Sequence, residues 1–349
     1  MSAVENLKGL TIEDGWKVTT QLVKSSASTG GVFSESYLAE KDGKIAFLKA
    51  FDFSDAFEDG ADTFAVLKQH IVSYEHERSI LDHLGAKRLS NVVLALGAGK
   101  VSVPGFGKAE GQVHYLLFER AASDIRCQMD VADAADYVWC MRVLRDVCLG
   151  LFQVHNEFIA HQDLKPSNVL VCNEAGFKIA DFGRSSRRGT DVWHDEFVFP
   201  GDRTYSPPEL LYKHIDPEFI TRRMGSDMYM LGNLAVFLFT GTNLTSTLFA
   251  KMQREHHWNY WASSYSEVLP YVQEAFARCL EELSAVLPPV VRADVVEIVT
   301  CMCNPDLSKR GYPKTIGKGT QYSLERFLSK LTHLVKLLEV RIRVTAKAS

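Results

Sequence analysis

The sequence predicts an α+β protein in two lobes, small and mostly β first, larger and mostly helical after it. Strand-like runs crowd the chain up to about residue 118, and helical periodicity takes over from about residue 134. The chain's 349 residues exceed what one small core needs and suit two lobes sharing a cleft.

Residues 16–53 read as short strands joined by turns. Trp16, Val18, Leu22 and Val23 come first, then the stretch SSASTGG, then Val32 to Ala39. A Lys-Asp-Gly-Lys turn at 41–44 leads into Ile45–Phe51. Strand alternation sets Ile45, Phe47, Lys49 and Phe51 on one face, so Lys49 points with apolar residues. Next, Phe64, Leu67, Ile71, Tyr74, Leu81 and Leu84 recur at helical spacing, and Glu77 falls on that same stripe. A carboxylate on a buried helix face is expensive unless a cation meets it. The interval between Lys49 and Glu77 calls for a long helix or an additional one. Asn91–Leu96 and Val113–Phe118 read as further strands, followed by a hinge-like FERAASD segment at 118–124. Val138, Met141, Leu144, Cys148 and Leu151 mark one helix, and Met228–Phe239 a nearly all-apolar, buried one. Leu324, Leu328, Leu331, Val335, Leu338 and Ile342 step by four and three. They form either the last helix lying on the core or a short coiled-coil seam joining two copies of the chain.

Composition narrows the function classes. With 46% apolar and 23% charged residues, no stretch reads as disordered. A net charge of −4 argues against a dedicated nucleic-acid binder. Seven dispersed cysteines read as reduced thiols in a cytosol-like compartment, and only Cys301 and Cys303 lie close together, with no zinc-ligand partner pair. The first residues lack the apolar core of a signal peptide, and the apolar run from Tyr229 to Phe239 is too short for a membrane span. The expectation is a soluble, cytoplasmic protein.

Chemistry concentrates in HQDLKPSNVLV at 161–171 and KIADFG at 178–183. Together they present Asp163, Lys165, Asn168 and Asp181 from two turns beside short strands. Phosphoryl transfer asks for such groups: a carboxylate to orient the attacking hydroxyl, a cation for the γ-phosphate, and an amide and a carboxylate for a divalent metal.

The two segments resemble the catalytic loop and Asp-Phe-Gly motif of the eukaryotic-like (Hanks-type) protein kinases, with the Lys-Pro of the Ser/Thr class. The resemblance runs from about residue 20 to about 330. It implies a two-lobed protein kinase fold, with an N-terminal lobe at 1–118 carrying a regulatory helix, a C-terminal lobe at 119–330 and a helical extension at 331–349. It also implies ATP with Mg²⁺ or Mn²⁺, a protein substrate, and catalytic roles for Asp163 and Lys165 with metal held by Asn168 and Asp181. The segment AFLK at 46–49 resembles the strand whose lysine meets the α- and β-phosphates, with Glu77 as its partner. Nucleotide contacts are further implied for Gly30, Gly31, Phe47, Glu119 and the pocket floor Leu170. Pro208 and Glu209 stand at the Pro-Glu positions that end the activation segment. Arg310 resembles the arginine pairing with Glu209, and Asp227 the residue anchoring the catalytic loop.

Departures from the family pattern keep other readings open. The Gly-rich loop holds Thr29, Gly31 and Ser34 at its three glycine positions. Gln162 replaces the arginine that pairs with an activation-segment phosphate, so phosphorylation at Ser185, Ser186, Thr190 or Thr204 should not switch the enzyme on by that route. Asp202 replaces a threonine and is placed to pair with Lys165. Ser36 and Phe47 exchange the sizes expected over the adenine base. The aromatic WNYWASSY at 258–265 reads as local core or as a partner dock. A pseudokinase scaffold would fit these departures. A small-molecule kinase would lack Asp-Leu-Lys-Pro and the Pro-Pro-Glu/Arg pair, both present here.

Overall fold

Five antiparallel strands form one sheet in the first of two units, Met1–Ala122, in the order β1-β2-β3-β5-β4. They are β1 (Lys17–Leu22), β2 (Ser34–Lys41), β3 (Lys44–Phe51), β4 (Ala95–Ser102) and β5 (Gln112–Glu119), with helix α1 (Thr63–Ala86) between β3 and β4. The computed structural model describes residues 2–23, 34–58, 62–131, 136–172 and 176–348. Gly30 and Gly31, and with them the nucleotide contacts expected of that loop, lie outside the described residues.

The β2–β3 hairpin turns on Asp42 and Gly43, both at positive φ (50° and 73°), the backbone that a two-residue Asp-Gly turn requires. In β3 the fully buried residues are Ala46, Leu48 and Ala50, while Phe47, Lys49 and Phe51 are half-buried and Ile45 is exposed. The alternation is as expected, but the core lies on the Ala-Leu-Ala face. The reason is the N-terminal segment: Ala3, Val4, Leu7 and Ile12 pack into the cluster on that face, and the Tyr37 hydroxyl donates to the Val4 carbonyl at 2.6 Å. The strand expected at Asn91–Leu96 begins only at Ala95, with Val92 and Val93 buried ahead of it.

The interval before Glu77 holds a short turn at Ser54–Phe57 and then α1, capped by Asp62, whose side chain accepts from the Ala65 N–H at 3.1 Å. Tyr74, Glu77, Ile80, Leu81 and Leu84 are buried, but Phe64 is 87% exposed and Ile71 41%. Twenty-four residues make a helix about 36 Å long at ~1.5 Å per residue.

The second unit, Ser123–Ser349, is mostly helical. It opens with β6 (Ser123–Asp124), α2 (Ile125–Val131) and α3 (Tyr137–Asn156). Four short strands follow: β7 (Ile159–Ala160), β8 (Val169–Cys172), β9 (Gly176–Ile179) and β10 (Ser186–Arg187). The rest is helical: α4 (Pro208–Leu211), α5 (Gly225–Thr240), α6 (Leu244–Ala250), α7 (Tyr265–Val286), α8 (Pro289–Met302) and α9 (Glu325–Ala348). The short strands pair as β6-β8-β9 and β10-β7, which leaves the 161–168 and 180–186 loops side by side. Helix α5 is buried on nearly every side, as its unbroken apolar character demands. Its Gly232 is a packing requirement, because a Cβ there would collide with Cys303 Sγ and the Met302 side chain. In α9 the inward positions Phe327, Leu331, Val335 and Leu338 are buried, and the helix packs on α3. The apolar steps of the expected coiled-coil seam are therefore covered within the chain as far as Leu338, while Ile342 is exposed. All seven cysteines are free thiols, and no helix among the described residues is long and apolar enough to cross a membrane.

Candidate active site

In the first unit, β3 and α1 bring Lys49 and Glu77 together. Lys49 Nζ lies 2.9 Å from both carboxylate oxygens of a Glu77 that is only 2% exposed. The carboxylate on the buried helix face and the lysine on the strand answer each other, which neither does alone. The Lys49 ammonium also lies 5.3 Å from the Phe51 ring centre. Directly across β2 from Lys49 stands Ser36; across from Phe47 stand Leu38 on one side and Phe118 on the other, with ring centres 6.3 Å apart. Ser36 is thus a diagonal neighbour of Phe47 and not its facing residue. At the end of β5, Glu119 is occupied: its carboxylate accepts from the Leu94 N–H at 2.8 Å.

In the second unit, Asp227 organises the loop. Fully buried at the start of α5, it accepts from the backbone N–H groups of His161 and Gln162, both at 2.7 Å, and lies 2.9 Å from His155 Nε2. Two loop residues take left-handed backbone without being glycine, Gln162 (φ 63°) and Asp181 (φ 66°), and such strain persists only where surroundings enforce it. The enforcement at Asp181 comes from Phe182, buried against the His161 ring, and from His161 Nε2 at 3.0 Å from the Ala180 carbonyl.

Asp163 is the most heavily contacted of these side chains. Lys165 Nζ lies 3.0 Å from Oδ2, the Asn168 amide donates to Oδ2 at 3.1 Å and to the Asp163 carbonyl at 2.8 Å, and the Asp202 N–H donates to Oδ1 at 2.7 Å. Burial pushes the Asp163 carboxyl above its ordinary pKa; Lys165 opposes the shift and the neighbouring charge of Asp181 reinforces it. The approach of the 200s segment demands glycine, since a side chain at Gly201 would collide with the Gln162 carbonyl and the Asp163 carboxylate. Asp202, expected to pair with Lys165, lies 3.8 Å from it, while its other oxygen accepts from the Thr204 N–H and hydroxyl. It braces the loop.

Asn168 spends its amide N–H₂ on Asp163; among the described residues its Oδ1 meets only a long 3.5 Å contact from the Ser167 hydroxyl. That oxygen and the Asp181 carboxylate are hard donors of the kind that suit a divalent cation. Leu170 lies half-buried in β8, opposite Lys178 and Asp124.

A second arrangement escaped the sequence reading. Gln162 donates to the Arg184 carbonyl at 2.9 Å and to Ser186 Oγ at 2.6 Å, and it accepts from the guanidinium of Arg223. Arg223 reaches on to Asp195 Oδ1 at 2.7 Å, and Ser186 donates to the same oxygen at 2.6 Å. The neutral residue at 162 therefore sits within a charged network whose cation comes from 61 residues downstream. No short motif marks that pairing. Ser185 and Ser186 are completely buried, so of the four expected phosphorylation sites only Thr190 and Thr204 are exposed. Lower in the unit, Arg310 meets Glu209 through two parallel 2.7 Å contacts, with the arginine fully buried, as the resemblance implied.

Among known families, the model described as Protein kinase domain matches residues 76–318, well over half of the chain. Curated relatives include the Serine/threonine-protein kinase greatwall of Canis lupus familiaris, 22% identical over 73% of this chain and 27% of that protein. The Mitogen-activated protein kinase homolog NTF3 of Nicotiana tabacum is 29% identical over 52% of this chain and 44% of its own length. The Serine/threonine-protein kinase pim-2 of Danio rerio is 30% identical over 34% of this chain and 42% of its own length. The matched stretches span less than half of each of these three relatives.

Proposed function

Because the chain belongs to the protein kinase domain family, we propose that it transfers the γ-phosphate of ATP to serine and threonine hydroxyls of proteins. The observation that carries this reading is the surrounding of Asp163: a buried carboxylate with Lys165, Asn168 and a backbone N–H fixed on it. In this assignment Asp163 accepts the proton of the attacking hydroxyl, and its raised pKa makes it the better acceptor. Lys165 offsets charge on the phosphoryl group in flight, and Lys49, oriented by Glu77, holds the α- and β-phosphates. Asn168 Oδ1 and the Asp181 carboxylate hold Mg²⁺ or Mn²⁺, which neutralises developing phosphate charge when bound. Glu119, Phe47 and Leu170 are assigned to the adenine end of the nucleotide. Leu94 engages both the carboxylate and the N–H of Glu119, so any contact of Glu119 with the base falls to its backbone carbonyl or displaces Leu94.

A pseudokinase reading loses weight because Lys49, Glu77, Asp163, Lys165, Asn168 and Asp181 are all retained. The deciding experiment is incorporation of labelled γ-phosphate by purified protein with Mg²⁺ or Mn²⁺, followed by identification of the modified residues. Asp163→Asn should lower transfer by roughly 10²–10⁴-fold while nearly preserving nucleotide affinity. Asp181→Asn should weaken metal-dependent nucleotide binding instead. An Asp163 variant as fast as the parent overturns the assignment.

A further inference from the structure

Immediately after Asp202, whose N–H holds Asp163, comes an exposed arginine. The Arg203 guanidinium lies 4.8 Å from the Trp258 ring centre and 6.0 Å from that of Phe199. Among the described residues no carboxylate pairs with it. The carboxylate next to it in the chain, Asp202, is engaged by Thr204 and Lys165. Stacking uses the flat face of a guanidinium and leaves its edge N–H groups free to grip a carboxylate in the ring plane.

The surroundings share this sign. Trp258 belongs to the stretch 241–265, in which Glu255 is the only acidic residue. In that stretch Arg254 stacks on Tyr260 at 4.9 Å, again with no carboxylate partner among the described residues. Two residues beyond Arg203, the buried Tyr205 is hydrogen-bonded with Arg126. In a chain of net charge −4, Arg203 and Arg254 thus each lie over an aromatic ring without a carboxylate partner among the described residues, and Arg203 directly follows the residue whose N–H holds Asp163.

We propose that Arg203, held over Trp258, binds an aspartate or glutamate side chain of the protein substrate close to the phosphoacceptor. The proposal deepens the protein kinase reading and rests on it for the position of the acceptor. Adjacent Cα atoms are about 3.8 Å apart and an extended peptide advances about 3.3 Å per residue, which places the acidic residue within about three positions of the acceptor. Trp258 is a specificity-determining residue in this scheme because it fixes the direction of the guanidinium. It also gives the aromatic segment 258–265 a role that core packing does not: Tyr265 is buried, but Trp258 is only half-buried and Tyr260 is 60% exposed.

The test uses serine peptides of neutral background carrying Asp, Ala or Lys at each of the three positions on either side of the acceptor. The 349-residue chain should prefer Asp over Ala in kcat/KM by about tenfold at one or two positions, the scale of a charge-assisted hydrogen bond. Arg203→Glu should reverse the order at those positions in favour of Lys. Trp258→Ala should shrink the ratio toward one. Each ratio is taken within one variant, so a general loss of activity cancels. In parallel, fluorescence anisotropy of the labelled Asp and Ala peptides on Asp163→Asn protein, with and without Arg203→Glu, reads binding alone. If no peptide is phosphorylated, the kinase reading fails, while tighter binding of the Asp peptide, lost in Arg203→Glu, still supports the acidic subsite. Equal binding of the two peptides, or an Asp preference untouched by Arg203→Glu, overturns the proposal.

Discussion

Arg223 and Asp195 form an ion pair of 2.7 Å that closes on Gln162, one residue before Asp163. The arginine side chain is 5% exposed and the aspartate 30%; burial pulls the pKa of the Arg223 guanidinium down to about 10, and Asp195 opposes that shift. A second arginine, Arg222, donates to the Asp195 and Phe197 carbonyls and pins the same turn. The 185–197 segment is thereby held on the loop of Asp163 by a carboxylate that the sequence itself encodes.

This pairing predicts activity without phosphorylation of the segment. Phosphatase-treated protein should retain most of its activity on an exogenous substrate, whereas Asp195→Ala should lose more than about tenfold by leaving Arg223 buried and unpaired. The charge-exchanged pair Asp195→Arg with Arg223→Asp should recover part of the loss. If dephosphorylation of the parent removes activity and rephosphorylation at Thr190 restores it, the encoded carboxylate is not sufficient.

The raised pKa of Asp163 sets an expectation for pH. A general base works deprotonated, so kcat/KM for peptide should rise with pH. The midpoint of its acid limb should lie above the ~3.9 of an ordinary aspartate. Lys165 favours the charged form; Lys165→Met should therefore move the limb further upward, besides lowering the rate. A pH–rate profile of both proteins decides it, and a downward movement in the variant would contradict the electrostatics described.

Glu209 and Arg310 carry stability. Breaking a buried, bidentate pair leaves one charge without a partner, and Glu209→Gln should lower the unfolding free energy by about 3–5 kcal/mol. The double change Glu209→Leu with Arg310→Met should cost less than the single one, because it removes both charges. Urea unfolding of the three proteins measures this.

Phe47 bears on nucleotide selection. If its ring stacks against the base, Phe47→Ala should weaken ATP by severalfold, the equivalent of about 0.5–1.5 kcal/mol, and admit purines with larger substituents. Ser36→Val should have the smaller effect, because Ser36 is only diagonal to the ring while Leu38 and Phe118 face it. Calorimetric titration of ATP into both variants tests the pair, and an unchanged dissociation constant for Phe47→Ala removes the ring from the site.

Much of this molecule is legible in the chain alone, where function depends on neighbours in sequence. Asp163, Lys165 and Asn168 lie within six residues, so a short motif carries their chemistry, and strand and helix periods suffice to set Lys49 and Glu77 each on an apolar stripe. Tertiary structure alone decided the rest. That the buried face of β3 is Ala46-Leu48-Ala50 follows from the N-terminal residues that cover it, and period-two alternation cannot say which face is covered. That Gln162 sits in a charged network follows from Arg223 and Asp195, distant in sequence and joined only when α5 is buried beneath the loop. Periodicity records which residues share a face; what lies opposite that face is settled only when the chain packs.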